Sequence, residues 1–259
     1  MQVRAPARSR RPAISRPRHH SAWVIGLCLL GGAVAIWIVL TVFGLILTHV
    51  LGKGAVHRVD LGVDVWFAQH RSTGWNTVML FGTDLARTQT VIAVAAAAAL
   101  LLRWRLKRWH ESLIVIAAVA GEVLIFLAVT ETVPQRRPPV PRLQAAPATS
   151  SYPSGHTAAA VALYGCLGVL FLVYVSRPGL RWLAAVLFCI PVYVAISRVY
   201  EGEHYPSDVI AGALLGVLWL TCVLRALPPI RVPPRAEQPA ARAAGKQERK
   251  AIAKAHRSA

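Results

Sequence analysis

Two histidines stand at the mouths of apolar segments, each behind a short polar turn. In "SSYPSGHTAAA", Ser150 to Ala160, a Pro-Ser-Gly turn delivers His156 to the start of a long apolar run. In "SRVYEGEHYPSDV", Ser197 and Arg198 precede His204 and Asp208, the last two four residues apart. With a helix from Tyr205 onward, Asp208 reaches back to the His204 imidazole and fixes its tautomer, the arrangement of a histidine base or nucleophile. A third stretch, "VPQRRPPVPRLQ", carries Arg136, Arg137 and Arg142 among prolines. Guanidinium groups present planar forks of donors suited to phosphate oxygens, and the prolines stiffen the loop that holds them. Gly155 permits close backbone approach, Ser154 sits beside it, and the unpaired amides of a helix start favour an anion. Taken singly, a histidine at a helix start reads as a cap and a loop arginine as a solvated charge. Together, two histidines, several arginines and a carboxylate, without a cysteine or carboxylate cluster, suit phosphoryl transfer better than metal hydrolysis. No metal and no other cofactor is expected.

Those residues need elements to hold them, and composition says which. The chain has 259 residues, 55% of them hydrophobic, with a mean hydropathy of +0.48, and apolar runs that approach the length of a bilayer crossing recur along it. We read six: Trp23 to Leu51, Leu85 to Leu102, Leu113 to Thr130, His156 to Val175, Trp182 to Ser197 and Asp208 to Leu224. The first is too long for the apolar region of a cleavable signal and reads as a retained anchor. The second must extend back through Arg87 to span, the last two are short enough to need tilt or thinning, and Pro191 predicts a kink in the fifth. The fold class expected is all-α, a polytopic membrane bundle of six transmembrane helices spanning 23–226, flanked by basic, disordered tails at 1–22 and 227–259. The four cysteines lie inside apolar runs without paired or metal-like spacing and read as small apolar residues.

The formal charge of +18 is concentrated in the N-terminal segment, in "RWRLKR", at Arg177 and Arg181, and in the tail from Arg225. With six spans these all fall on one side, which the positive-inside rule makes the cytoplasm, termini included. The site-bearing loops then face outward, so Arg136, Arg137 and Arg142 break the charge rule and need a reason such as an anion. The tails read as topology signals that also adhere to anionic headgroups; lacking aromatic interleaving and any binding module, they are not expected to bind nucleic acid. The first outward loop, with Val63, Val65, Trp66, Phe67, Trp75, Val78 and Leu80, predicts one or two interfacial amphipathic helices, serving either as a cover for the site or as plain interfacial packing. Glu122, near the middle of the third span, is either functional or a protonated packing residue. The sequence carries no internal repeat and specifies no oligomeric state.

The ordered set "RRP", "PSGH" and "SRVYEGEHYPSD" resembles the three-part signature of the type 2 phosphatidic acid phosphatase superfamily, which includes vanadium haloperoxidases. The last motif of that family is Ser-Arg, five residues, His, three residues, Asp, met here by Ser197, Arg198, His204 and Asp208; the middle motif is met by Pro153, Ser154, Gly155 and His156. The resemblance implies a lipid phosphatase in the cytoplasmic membrane whose site faces outward, acting on a lipid phosphate or diphosphate such as phosphatidic acid, diacylglycerol pyrophosphate, phosphatidylglycerophosphate or undecaprenyl pyrophosphate. It implies His204 as nucleophile, Asp208 as its support, His156 as the acid for the leaving group, and Arg136, Arg137, Arg198, Ser154 and Gly155 as phosphate ligands. The alternatives are a lipid phosphotransferase and a non-catalytic lipid-binding protein. One position departs from the pattern: the family's first motif opens with a lysine seven residues before the arginine of Arg-Pro, where this chain has Thr130. Arg136 or Arg142 is expected to supply the missing cation.

Overall fold

The computed structural model describes residues 22–51, 54–145 and 149–230; of the two tails, 1–21 and 231–259 lie outside the described residues. Among these residues the chain is all helical: α1 (Ala22–Leu45), continued by a π turn at Ile46–Val50, α2 (Ala55–Gln69), α3 (Thr73–Asp84), α4 (Thr88–Leu106), α5 (His110–Thr132), α6 (Gly155–Ala160), joined through a π turn at Val161–Gly165 to α7 (Cys166–Tyr174), α8 (Trp182–Tyr200) and α9 (Pro206–Ala226). Six helical stretches are long and apolar enough to cross a membrane: Ala22–Val50, Thr88–Leu106, His110–Thr132, Gly155–Tyr174, Pro178–Tyr200 and Pro206–Ala226.

Three boundaries differ from the sequence reading. The second span begins after Arg87, which caps it in extended conformation. It gains its length at the other end, through Arg103, Trp104 and Arg105, long amphipathic side chains whose heads can reach water. The fifth and sixth spans are not short: the fifth runs from Pro178 to Tyr200, taking in Arg198, and the sixth begins at Pro206. The fifth also runs through Pro191 as a single helix.

The α6–α7 span is the most deeply buried, its faces taken up by α5, α8 and α9, while α1 and α4 pack on the flanks of α5. Apolar side chains such as Leu30, Ile38, Leu124 and Val192 project from the outside of the bundle, where a bilayer solvates them. Between helices, small residues allow close approach, as packing in lipid requires. Gly212 on α9 is the instance that matters for the site, because a side-chain carbon there would run into the Ser154 carbonyl. This lets the Pro-Ser-Gly-His turn lie directly on α9, and the Ser154 amide donates to the Asp208 carbonyl at 2.9 Å.

The helices α2 and α3 form the expected pair in the loop between the first two spans, packed on α8, with α2 also touching α9. In α2 the polarity is inverted relative to a soluble helix: Asp60 and Asp64 are buried, whereas Val59 and Trp66 are exposed. An apolar outer face and a polar inner one suit a helix lying in the interface over a polar site.

Candidate active site

The three motif segments converge at one end of the bundle. The stretch from Val133 to Pro138 is extended and pairs with the segment before His156: the Ser151 amide donates to the Gln135 carbonyl at 3.0 Å, and the Ser151 hydroxyl to the Arg136 carbonyl at 3.3 Å. Successive side chains of an extended segment point to opposite sides. Arg137 therefore turns inward, where its Nη1 donates to the Glu203 carbonyl at 2.9 Å and to Glu203 Oε2 at 3.1 Å. Arg136 turns outward and is exposed. It lines an open cavity of about 810 Å³ together with Arg137 and Arg142.

Arg198 projects from the last turn of α8 and is buried. Its Nη1 lies 3.2 Å from Glu201 Oε2 and donates to Thr83 Oγ1 at 3.4 Å, while its Nη2 stands 3.6 Å from Glu203 Oε2. Glu203 thus spans the two guanidiniums, one from the loop after α5 and one from α8. Glu201 and Glu203 are both buried, and burial pushes the Glu201 carboxyl up despite the bond it accepts from Thr83. The Nε atoms of Arg137 and Arg198 are buried with no partner among the described residues. Two guanidinium edges thus remain available to a further acceptor, at a cost unless one arrives.

His204 is buried, and its Nδ1 stands 2.7 Å from the Ser151 carbonyl. A carbonyl can only accept, so Nδ1 carries the proton and Nε2 the lone pair. This corrects the expectation for Asp208: its Oδ2 lies 3.8 Å from Nδ1 and accepts instead from the Tyr205 amide at 3.0 Å. The tautomer is set by a backbone carbonyl, and Asp208, buried close to the ring, does not make the orienting bond. Burial, with Arg198 and Arg137 adding to it, holds the imidazole well below its ordinary range. His204 is neutral at physiological pH. His156, at the start of α6, is partly buried and within electrostatic range of His204, Arg198 and Arg137.

Other expectations fare unevenly. Gly155 is present at the turn, packed on Phe126. The Ser154 hydroxyl, however, is wholly buried and hydrogen-bonded to Thr157 Oγ1 at 3.0 Å, and its amide donates to the Asp208 carbonyl. Arg136 and Arg142 do not join the inner cluster, and Thr130 Oγ1 is buried without a partner. Glu122 is buried in the third span with neither oxygen hydrogen-bonded, away from the motif residues.

Several contributors escaped the sequence reading. Arg71, between α2 and α3, donates through Nε and Nη2 to the Tyr200 carbonyl at 3.1 and 2.7 Å and through Nη1 to the Pro141 carbonyl at 2.5 Å. Asp60 accepts from the Ser207 amide and hydroxyl at 3.2 and 2.6 Å, pinning the start of α9. Asp64 lies behind it, pushed up to about 8 by burial and by the charges of Asp60 and Asp208. Gly202, at φ +74°, turns the chain between Glu201 and Glu203 where a side-chain carbon would meet Val140 and the Pro141 carbonyl. Only Gly202 carried a local signal.

Comparison with known proteins gives the family. The sequence profile of the PAP2 superfamily matches residues 128–231, the stretch that contains all three motifs. An undecaprenyl-diphosphatase of Sulfolobus acidocaldarius is 30% identical over 207 residues, covering 75% of this chain and 93% of that protein. The chain belongs to the PAP2 superfamily. Within the superfamily it is also similar to phosphatidylglycerophosphatase B of Bacillus subtilis, at 26% identity over 182 residues, 69% of this chain and 88% of the relative. The crystal structure of a transmembrane PAP2 type phosphatidylglycerolphosphate phosphatase from Bacillus subtilis superposes with a TM-score of 0.63 at 25% identity, over 72% of this chain and 93% of that one. This PAP2 protein is accordingly a multi-pass membrane phosphatase.

Proposed function

We propose that the protein removes phosphate from a lipid monoester or diphosphate at the outer face of the cytoplasmic membrane, through a phosphohistidine on His204 and without a metal. The observation that carries this reading is the state of His204: Nδ1 is committed to the Ser151 carbonyl, so the Nε2 lone pair is free beside two arginines with unpaired Nε groups. In the first step Nε2 attacks phosphorus and the bond from phosphorus to the leaving oxygen breaks. The departing oxygen takes a proton from His156, and Asp208, 3.8 Å from Nδ1, offsets the positive charge on the His204 ring. In the second step neutral His156 takes a proton from water, the oxygen attacks phosphorus, the P–N bond breaks and phosphate leaves. Arg137 and Arg198 bear the charge on the equatorial oxygens throughout, where a single donor is worth about 10²-fold or more in rate.

The outward orientation rests on charge. Arg103, Arg105, Lys107 and Arg108 at the α4–α5 turn, and Arg177 and Arg181 before α8, lie at the end of the bundle opposite the site, and the positive-inside rule assigns that end to the cytoplasm. The names of the two similar enzymes make an isoprenoid diphosphate and a glycerolipid phosphate the first substrates to try.

The test is phosphate release from a panel of both lipid classes by detergent-purified protein in EDTA, with His204→Ala alongside. Release by the wild type and none by the variant is expected, and wild type quenched during turnover should carry an acid-labile, alkali-stable phosphoryl label that His204→Ala lacks. Release that persists in His204→Ala, or that EDTA abolishes, would sink the mechanism.

A further inference from the structure

The inner cluster has a charge problem that its own residues do not solve. Each guanidinium already faces a carboxylate: Arg137 has Glu203, and Arg198 has Glu201 and Glu203. Asp208 lies below. An arriving phosphate therefore meets two cations whose charge is largely spent, and a buried anion without a matched cation is strongly disfavoured. Thr130 contributes no charge from α5, and Arg136 and Arg142 face the outer cavity.

One further arginine is built into the wall. The turn between α3 and α4 is part of the site: Thr83 Oγ1 donates to Glu201 Oε1 at 2.5 Å and accepts from Arg198, and the Leu85 carbonyl accepts from Tyr164 at 2.7 Å, on the span that His156 opens. Arg87 follows directly. Its Nε lies 2.7 Å from Asp84 and its Nη2 donates to Gln144 Oε1 at 3.2 Å, so it bridges this turn to the loop that carries Arg137. The charge acts on both His156 and Arg198. Its side chain is 49% exposed, so the head can exchange partners. It also sits at the N-cap of α4, the positive end of the helix dipole, where a cation gains nothing from the helix and is better placed to meet an anion.

We infer that Arg87 is the third phosphate-contacting cation of this site, held at its rim by Asp84 and Gln144 until a lipid phosphate arrives. The inference rests on the phosphatase reading for its substrate but not for its test, because anion binding can be measured without turnover. Binding of inorganic phosphate would be measured by calorimetry on the full-length protein in detergent, for wild type, Arg87→Gln, Arg87→Lys and Asp84→Asn, with phosphate release followed in parallel. Arg87→Gln is expected to weaken phosphate binding about tenfold or more and to lower kcat/KM about 10²-fold, while Arg87→Lys retains most of the binding. Asp84→Asn frees the guanidinium from its resting partner and should bind phosphate at least as tightly as wild type. A merely structural bridge would instead make Asp84→Asn and Arg87→Gln alike. Equal phosphate affinity in wild type and Arg87→Gln, including no binding by either, overturns the assignment. Phosphate binding that depends on Arg87 in a protein that releases no phosphate from lipids would leave Arg87 standing and remove the phosphatase reading.

Discussion

Replacing Arg71 by methionine removes a side chain that clamps the arginine loop to the end of α8 from the α2–α3 side. The guanidinium makes three bonds to two carbonyls, Tyr200 and Pro141. The Tyr200 carbonyl belongs to the last turn of α8, where helix carbonyls have no intrahelical partner and the dipole favours a cation. Tyr200 is buried, so methionine leaves its carbonyl without a donor. At about 1–3 kcal/mol for each orphaned buried acceptor, with Pro141 partly recovered by water, the expected loss is about 3 kcal/mol. Catalysis should suffer more than stability suggests. Arg198 lies two residues before Tyr200, His204 four residues after it, and Arg137 four before Pro141. A shift of about 1 Å between them costs on the order of 10²-fold in rate.

The assay is phosphate release at a temperature well below the variant's unfolding midpoint, with the midpoint measured on the same preparation. Arg71→Lys should fall between, since an ammonium keeps the charge near the end of α8 but cannot fork across two carbonyls. Less than a fivefold loss in Arg71→Met, in protein still folded, would show that the clamp does not position the site. A large loss with no change in midpoint would instead point to direct contact between Arg71 and substrate.

Two further outcomes follow from the same geometry. Glu203→Gln should tighten inhibition by orthovanadate about 10²-fold: a unit charge about 5 Å from the bound anion is worth roughly 3 kcal/mol at an effective dielectric of about 20, and Arg137 keeps its 2.9 Å bond to the Glu203 carbonyl when the carboxylate goes. Weaker inhibition would mean that Glu203 is needed to aim the arginines rather than competing with the ligand. Stability should also fall on acidification: His204 is held neutral in the fold, so between its depressed folded value and about 6.5 the unfolded chain binds the extra proton, stability rises with pH there, and it is lost as pH drops below about 6.5. A midpoint-against-pH curve that is steep from pH 6.5 downward in wild type and flatter in His204→Gln is expected, and parallel curves would refute the assignment.

How much of this was legible from sequence depends on whether the partner lies nearby in the chain. Six spans could be counted because apolar length is a local property, yet their ends could not. The α8 and α9 boundaries run into polar motif turns that hydropathy assigns to loops, Arg198 at the end of one and Pro206 and Ser207 at the start of the other. The spacing of His204 and Asp208 placed them on adjacent turns. It could not reveal that the Ser151 carbonyl, 53 residues away, takes the ring proton first. Arg136 and Arg137 are indistinguishable by type; only the pairing of 135 and 136 with Ser151 decides which side chain faces inward. Arg71, Thr83 and Arg87 carry no motif at all, since each acts through a contact made across the bundle.

These long-range contacts share a purpose that also explains the acids in Glu-Gly-Glu-His. A site of bare arginines buried under α2 and α3 would be costly before substrate arrives, because charges taken from water need partners. Glu201 and Glu203 supply those partners and hold the guanidiniums in place, but in doing so they spend the charge that phosphate needs. The unpaired Nε edges of Arg137 and Arg198 and the half-exposed Arg87 are what remain for the ligand. If that reasoning holds, affinity is set less by the buried arginines than by the rim, and adding Arg87→Gln to Glu203→Gln should give back a large part of the orthovanadate affinity that the first change gains. Strict dominance of either single effect in the double variant would show that the two groups do not act on the same bound anion.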